Sequence, residues 1–473
     1  MSGKFHLHYS YSIFVGSLIS KGADQFPMDR TRLKFEKFFS NLLYRGNMPK
    51  VVDIYRTIIR RANFLFTNPM CGASETLNFL NAWIVQVEIA GSLRRLLVRT
   101  NSQIGHSVDT LSRVNGLMES YLIGSISFEE CTIRLSTWFE SVNFSKIEIQ
   151  TIFAIQRILE SHGFFCFANR IGDELHIPLG RNRNGLVKWS ELYSRFLFKM
   201  GNRDLVEACI ILEDLKKVHG AKEPFGKVVI EELDHYLYLS SNGMYGERAV
   251  PVDSQFSALI NGRDIVVVGP GIDPDINWSN ISSGTLIIRF LKPGVTNWNH
   301  ENPIGEHLEE IVYVNGQCTI WLQSLTDLSF LSRFKSVSFR TKSILASRLP
   351  NGRTIQTNHH LLQRGAPLIL LDLLWDLSLY QPKSVSLQNF DFYALGEPYR
   401  KTSRQLSMLG SNVTEFNRCR SGASHDLADN RRVMKNILKY RIFHASEKMT
   451  GVLEMSDADY MLRIEHNLGR KKL

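Results

Sequence analysis

The feature that most constrains the fold is an uninterrupted apolar run that leads directly into glycine. Asp264 is followed by Ile265–Val268, and then by Gly269, Pro270 and Gly271. Strands that are buried on both faces of a parallel sheet have such continuous runs of valine and isoleucine. The glycines let the backbone turn sharply at the carboxyl end of the strand, where open α/β sheets bind nucleotides and phosphates approach bare amides. We therefore expect an inner strand here, with a nucleotide-binding turn after it.

Strand-like and helix-like runs alternate through the rest of the C-terminal half. Alternation of this kind indicates βαβ units and therefore a parallel sheet. The sequence predicts an α/β domain over 255–473 with a mostly parallel, Rossmann-like sheet, and helical packing of the last residues from 436 onward. Its further strands are predicted at Thr285–Phe290, Ile311–Val314, Ser336–Arg340 and Ser384–Leu387, with a helix at Leu368–Leu379.

The first 245 residues are predicted to form a separate, mainly α-helical domain. Their apolar residues recur at intervals of three and four, which places them on one face of a helix. A small hairpin is expected within Gly163–Pro178, and the linker to the second domain within Ser240–Ser254. A chain of 473 residues suits two domains. The helices are predicted at Lys50–Ala62, Glu75–Val98, Lys146–His162 and Arg203–Val218.

Composition limits the location and the cofactors of the protein. The net charge of +10 fits an anionic substrate or an anionic membrane face, but no long basic run indicates nucleic-acid binding. The six cysteines are isolated, which argues against structural zinc and suits a reducing compartment. The apolar stretch Ile13–Ile19 is too short to cross a bilayer. We expect a cytoplasmic protein without metal or cofactor, with contact at the inner membrane face as an alternative.

Several motifs follow the first strand in a fixed order. The second strand closes on Arg289, a turn containing Gly305 comes next, and the third strand leads into Asn315. Gly365 then precedes the predicted helix, which a Pro-Lys link connects to a strand. That strand leads into an aromatic-rich segment, Asn389–Tyr393, and Ser424-His425-Asp426 lies near the final helical region.

This order resembles that of the sialyltransferases and their bacterial polysaccharide relatives, from residue 264 to about residue 430. The stretch from Gly269 to Gly305 is similar to the large nucleotide-binding motif of that family, and Gly365–Tyr393 is similar to its small motif. The resemblance implies that a sialic-acid-like or Kdo-like sugar moves, with inversion, from a CMP donor to a hydroxyl of a glycan or lipid-linked acceptor. The residues expected to bind the nucleotide sugar are Gly269, Pro270, Gly271, Arg289, Gly305, Asn315, Gly365, Asp391 and Tyr393.

The proposed reaction needs a base that removes the proton of the acceptor hydroxyl. Histidine suits this role because its pKa lies near the working pH. His425 is in the place of the family's late histidine and is the expected base, with Asp426 expected to orient its ring. His359 and His360 are alternatives in the polar stretch Thr354–His360, which has the composition of a mobile loop or lid.

Two classes of function remain open from the sequence. The first is a glycosyltransferase of polysaccharide or glycolipid synthesis. The second is a non-catalytic binding or scaffold protein with a degenerate nucleotide-sugar fold. Stabilisation by CMP or CMP-sialic acid separates a nucleotide-binding domain from one that has lost its ligand.

Overall fold

The structure is a computed structural model that describes a defined set of residues. These are residues 102–173, 189–219, 224–249, 253–269, 281–282, 284–291, 310–340, 343–356, 358–362, 367–394 and 425–467. The chain divides into two compact units. The first, here called the helical unit, comprises Met1–Glu174, Cys419–Ser424 and Leu473, and the second, the sheet unit, comprises Leu175–Arg418 and His425–Lys472.

The described part of the helical unit consists of four α-helices and a short 3-10 turn at Phe144–Lys146. The helices are α1 Ser102–Leu122, α2 Phe128–Ser141, α3 Ile149–Ser161 and α4 Phe165–Asp173. Helix α2 begins at Ser127, whose side chain accepts the backbone N–H of Glu130 at 3.1 Å. Helix α3 confirms the helix predicted within Lys146–His162. The helices predicted at Lys50–Ala62 and Glu75–Val98 lie outside the described residues.

The predicted hairpin within Gly163–Pro178 is wrong, because Phe165–Asp173 forms helix α4. Phe164, Ala168 and Ile171 are fully or almost fully buried and recur at intervals of four and three. That spacing places them along one face of a helix, whereas a strand would send alternate residues to opposite sides. The run of aromatic residues at 164–167 suggested a strand, but the helical spacing of the buried positions decides the structure.

Three long helices come first in the described part of the sheet unit. They are α5 Trp189–Gly201, α6 Leu205–His219 and α7 Pro224–Ser240. The helix predicted at Arg203–Val218 is confirmed by α6, which starts after a tight turn with Arg203 at a φ of 59°. A later helix, α12 (Leu427–Ile437), ties this group to the sheet, because Asn436 Nδ2 donates to Met200 O at 2.8 Å and to Tyr236 Oη at 2.9 Å. Helices α5–α7 are therefore part of the same compact unit as the strands.

Seven parallel strands form one sheet in the order β5-β4-β3-β2-β1-β6-β7. Every neighbouring pair is parallel, which confirms the predicted α/β class with a parallel sheet. The five strands expected from the sequence are present, and the short outer strands β5 and β7 are additional. The seven strands are β1 Asp264–Val268, β2 Leu286–Phe290, β3 Glu310–Val314, β4 Ser336–Phe339, β5 Gly352–Thr354, β6 Ser384–Gln388 and β7 Phe443–Ala445.

Helices cover both faces of the sheet. After α8 (Ser254–Ile260), which precedes β1, come α9 (Gly316–Gln323) and α10 (Ile344–Arg348). Cys318, Leu322 and Leu345 of α9 and α10 pack on Val312 and Val337, on one face. On the other face lies α11 (Ile369–Ser378), every residue of which after Ile369 is buried.

The C-terminal residues confirm the predicted helical packing against the sheet, with β7 as an interruption. Helix α12 precedes β7, and α13 (Glu447–Glu454) and α14 (Asp457–Asn467) follow it. Met449, Val452, Tyr460 and Ile464 are buried. Within the described ranges, no helix combines the length and the apolar character that a bilayer crossing requires.

A buried neutral histidine lies between α7 and α11, and because of it we expect acid to destabilise the sheet unit. His235 Nε2 lies 2.8 Å from Ser378 Oγ, its Nδ1 accepts the backbone N–H of Ala249 at 3.3 Å, and burial, aided by the charge of Arg248, lowers its pKa from 6.5 to about 3. Between pH 6.5 and 3 the unfolded chain therefore binds the extra proton, so stability falls as pH falls. We expect this group alone to cost about 2 kcal/mol at pH 5.

The measurement is denaturant-induced unfolding of the full chain at pH 7 and at pH 5. His235→Asn is expected to be less stable at pH 7, because it alters two buried hydrogen bonds, yet to lose about 2 kcal/mol less than the wild type on acidification. Equal losses in the two proteins would contradict a neutral His235 in the fold.

Candidate functional site

The strand order reverses beside β1, and this reversal defines the candidate site. Strands β1 to β5 follow one another outward in one direction, and β6 then pairs with the other side of β1. Open α/β sheets bind ligands outside the carboxyl ends of the strands at such a reversal. Val267 pairs with Ile288 of β2 and Leu387 of β6, so two residues further on the chain reaches Gly269, Phe290 and Asn389 at the same level. We call this region the β1/β6 edge.

Gly269 is required at the β1/β6 edge by a close approach of two backbones. Its N–H donates to Gln388 O at 2.8 Å. A Cβ atom at this position would lie 2.3 Å from Asn389 O and 2.9 Å from the Phe390 ring. The sequence predicted a glycine that leaves space for a phosphate. The structure shows that the backbone of the protein itself occupies the place where a side chain would project.

Asn389 is the most unusual polar residue of this edge. Its backbone is left-handed, with a φ of 62°, and the residue is only 6% exposed. Neither Oδ1 nor Nδ2 of its side chain has a hydrogen-bond partner. Burying an amide without partners costs about 1–3 kcal/mol, so a buried polar group of this kind calls for a ligand, a water molecule or a functional explanation.

From the sequence, Asn389 belongs to the segment that follows a predicted strand, and it is not among the predicted site residues. A signal was present, because asparagine is enriched at positive φ and here directly follows an apolar strand. The position of Asn389 beside Gly269 could not be predicted, because the two residues are far apart in the sequence.

Two further left-handed residues follow Asn389 in the same loop. Phe392 has a φ of 49° and Tyr393 a φ of 67°, a conformation that is strained for bulky side chains. Asp391 Oδ1 accepts the N–H of Tyr393 at 3.0 Å, which closes a tight turn. The predicted site residues Asp391 and Tyr393 are thus at the β1/β6 edge and are both half-buried.

Helix α14 holds this loop in its strained conformation. Tyr460 Oη donates to Phe392 O at 2.8 Å, Arg463 Nε to Ala394 O at 3.1 Å and Asn467 Nδ2 to Ala394 O at 2.7 Å. The three donors are three and four residues apart and therefore lie on one face of the helix. A loop fixed by three side chains is a preorganised element, which is what a binding site requires.

Arg289 adds a buried cation near the same edge. It is the penultimate residue of β2, pairs in register with Val312 of β3 and is 6% exposed. A guanidinium remains protonated when buried, so it contributes positive charge here. At the end of β2, Phe290 lies edge-on to Phe390 with ring centroids 6.0 Å apart. The edge therefore combines a cation, the carboxylate of Asp391, an amide and aromatic rings.

Two of the predicted site residues cap helices. Asn315 Oδ1 accepts the N–H of Cys318 at 2.8 Å and begins α9. Asp426 Oδ1 accepts the N–H of Asp429 at 3.1 Å and begins α12, from a left-handed conformation with a φ of 44°. Both carry out the structural role of an N-cap, which satisfies backbone donors that have no partner inside the helix.

His425 precedes α12 at the corner where two helices begin. Asn430 donates through Nδ2 to His425 O, and its Oδ1 accepts the N–H of Leu368 at 2.7 Å. Asn430 is fully buried, so it ties the start of α12 to the start of α11. Each of these helices leads into a strand of the sheet, β7 and β6, and therefore begins on the carboxyl side of the strands. His425, which is half-buried, therefore also lies on the carboxyl side of the strands.

The remaining predicted site residues lie outside the described part of the chain. They are Pro270, Gly271, Gly305 and Gly365. Among the residues that the structure describes, no group of three or more histidine, cysteine or carboxylate side chains has an arrangement that could hold a metal ion. Compared with protein-family models, curated proteins and solved structures, the chain matched none. The resemblance to sialyltransferases therefore depends on the sequence motifs alone.

Proposed function

We propose that the β1/β6 edge binds the nucleotide of a CMP-sugar, and that the protein transfers a sialic-acid-like or Kdo-like sugar to a hydroxyl of a glycan or glycolipid. The observation that carries this proposal is the buried amide of Asn389, without a hydrogen-bond partner, at the reversal of strand order. A carboxamide offers a donor beside an acceptor. Cytosine offers an amino donor beside a ring-nitrogen acceptor, so the two groups are complementary.

The buried guanidinium of Arg289 at this edge, which also carries the half-buried carboxylate of Asp391, supports an anionic ligand. A CMP-sugar of this class carries one negative charge on its phosphate and one on the carboxylate of the sugar. Arg289 supplies this cation from β2, the strand that pairs with β1, and a charge-assisted hydrogen bond from a guanidinium to phosphate is among the strongest available in proteins. No metal is needed where fixed donors and cations stabilise the leaving group.

The reaction is a single displacement. The oxygen of the acceptor hydroxyl attacks the anomeric carbon, and the bond from that carbon to the phosphate oxygen breaks. The bonding electron pair leaves with CMP, and the hydroxyl proton passes to a histidine on the carboxyl side of the sheet. His425, with Asp426 beside it, is the general base that is predicted from the sequence.

The test of nucleotide binding is a thermal shift of the full chain with CMP. CMP at one hundred times its Kd is expected to stabilise the protein by about 2.7 kcal/mol. Asn389→Ala is expected to weaken CMP binding about tenfold or more, while the stability of the free protein changes little, because removal of an unpartnered buried amide offsets the strain of alanine at a φ of 62°. Gln381→Ala is the matched control, since this exposed amide lies at the amino end of β6. A wild-type protein unaffected by CMP and by CMP-sialic acid would refute the proposal.

A second candidate function, non-catalytic nucleotide binding, is favoured by the capping roles of Asn315 and Asp426. If these side chains serve only the fold, the protein binds CMP without turning over a CMP-sugar. Incubation with CMP-sialic acid or CMP-Kdo, followed by measurement of released CMP, separates the two. Release above the uncatalysed rate supports the transferase, and binding without release supports the scaffold or binding protein.

A further inference from the structure

We infer that Asn467 and Arg463 of helix α14 are positioning residues of the nucleotide site, so this inference rests on the function proposed above. They fix the backbone of the segment Asn389–Ala394, here called the β6 loop, and through it the place of the Asn389 amide. The affinity for CMP is therefore set in part by a helix that lies far from this loop in the sequence.

Three consecutive backbone carbonyls of the β6 loop accept hydrogen bonds from side chains of α14. Asn467 Nδ2 donates to Tyr393 O at 3.1 Å and to Ala394 O at 2.7 Å. Arg463 Nε also donates to Ala394 O, at 3.1 Å. The carbonyl that precedes these two accepts from Tyr460 Oη at 2.8 Å. One helix therefore determines the direction of the peptide groups in the second half of the loop.

The β6 loop needs this support because its conformation is unfavourable by itself. Asn389, Phe392 and Tyr393 have φ values of 62°, 49° and 67°. Left-handed backbone is sterically costly for residues with a side chain, and it persists where the surrounding structure enforces it. Inside the loop, Asp391 accepts the N–H of Tyr393 at 3.0 Å and that of Ala394 at 2.9 Å. These local bonds shape the turn, and the bonds from α14 fix its carbonyls.

The position of the Asn389 amide follows from the backbone of the β6 loop. The amide has no hydrogen-bond partner, so no polar contact of its own holds it in place. Gly269 packs against Asn389 O at the first end of the loop, and Asn467 and Arg463 hold Ala394 at the other end. A loop that is fixed at both ends presents its amide in one place, which lowers the ordering cost of binding.

Helix α14 is itself anchored to α12 at its first turn. Arg431 of α12 is 3% exposed and binds the carboxylate of Asp457, and its guanidinium carbon lies 4.7 Å from the centre of the Tyr460 ring. Arg432 Nε donates to the same carboxylate at 2.6 Å. Because α12 holds the first turn, a change in the last turn of α14 affects the β6 loop without displacing the helix.

The last turn of α14 allows positioning to be separated from folding. Tyr460 is fully buried, so its replacement would also disturb the core. Arg463 is exposed, and Asn467, the last residue of the helix, is half-buried. Their replacement removes hydrogen bonds to the loop but little apolar packing, and such substitutions usually change stability only slightly. A loss of CMP affinity without a matching loss of stability is therefore the signature of a positioning residue.

The experiment measures the Kd of CMP for the full chain by isothermal titration calorimetry. Asn467→Leu keeps the size and the neutrality of the side chain but removes the donor. We expect the Kd to rise about tenfold, because the apparent affinity falls with the fraction of molecules whose loop is competent to bind. If CMP-sialic acid is turned over, its KM is expected to rise likewise while kcat stays unchanged. Asn467→Gln, which keeps an amide donor, is expected to regain part of the affinity.

Arg463→Met is the second variant and decides the test if Asn467→Leu does not fold. It is expected to raise the Kd by a smaller factor, because Asn467 keeps its bonds to the loop. His466→Ala, which changes an exposed residue of the same helical turn, is the control and is expected to leave the Kd unchanged. A wild-type protein that binds CMP no better than Asn467→Leu and Arg463→Met do would overturn this inference alone. A wild-type protein that binds neither CMP nor CMP-sialic acid would overturn the proposed function and this inference with it.

Discussion

Gly269→Ala is expected to reduce the free energy of unfolding of the sheet unit by about 3 kcal/mol or more. The added Cβ would lie 2.3 Å from the carbonyl oxygen of Asn389 and 2.9 Å from the ring of Phe390. Because the nearer atom belongs to the backbone, rotation of a side chain cannot relieve this steric clash. Strands β1 and β6 would have to separate at their carboxyl ends, and the hydrogen bond from Gly269 N to Gln388 O would lengthen. We expect the Gly269→Ala variant to lose CMP binding as well as stability.

Denaturant-induced unfolding of the full chain measures this effect, and Gly451→Ala is its matched control. Gly451 is exposed in the middle of α13, and a Cβ there would meet no atom within 4 Å. Alanine in a helix is more stable than glycine by about 0.5–1 kcal/mol, so the control is expected to be slightly stabilised. A Gly269→Ala protein as stable as the wild type would show that the ends of β1 and β6 are not in contact.

The sheet could largely be predicted because its inner strands are buried on both faces. Ile265–Val268 of β1 and Leu286–Ile288 of β2 are continuous aliphatic runs, which suit strands covered on both faces. The outer strands β5 and β7 have three residues each and include Arg353 and His444, so their patterns carry no strand signal. Pairing with β4 and β6, which no local pattern contains, makes them strands.

The candidate site could be predicted only where its residues lie at the end of a strand or shortly after it. Gly269, Arg289 and Asp391 were found because the carboxyl end of a strand is a recognisable place in an α/β sequence. Asn389 was missed because its significance comes from a positive φ and an unpartnered amide. Elsewhere, His360 Nδ1 lies 2.9 Å from Glu232 Oε2, and this pairing could not be predicted because it joins a loop to a helix of the predicted N-terminal domain.

The predicted separation between the two halves also depended on local composition. Strand-like runs begin after about residue 250, yet the chain divides into compact units near residue 174. Helices α5 to α7 belong with the strands because buried polar side chains join them. His235 meets Ser378, and Asn436 meets Tyr236. A boundary inferred from composition marks a change of secondary structure, whereas a compact unit is defined by packing across it.

The buried ion pair between Arg353 and Asp376 gives the second large expected effect. Arg353 of β5 donates to Asp376 of α11 through Nη1 at 2.7 Å and Nη2 at 2.8 Å, and Tyr313 Oη donates to the same carboxylate. Asp376 is fully buried and the Arg353 side chain is 9% exposed. Arg353→Met leaves a buried carboxylate without its cation, so we expect a loss of about 3–5 kcal/mol in the free energy of unfolding.

Asp376→Leu is expected to cost less than Arg353→Met, because the guanidinium keeps a bond from Nε to Asp253 at 2.9 Å. The double variant Arg353→Met, Asp376→Leu is expected to be more stable than Arg353→Met alone, since no unpaired charge then remains in the interior. Denaturant-induced unfolding of the four proteins gives the coupling energy of the pair. Lys383→Met is the control, because its ion pair with Asp264 is exposed and is expected to contribute less than about 1 kcal/mol. Additive losses in the double variant would show that Arg353 and Asp376 stabilise the fold independently of each other.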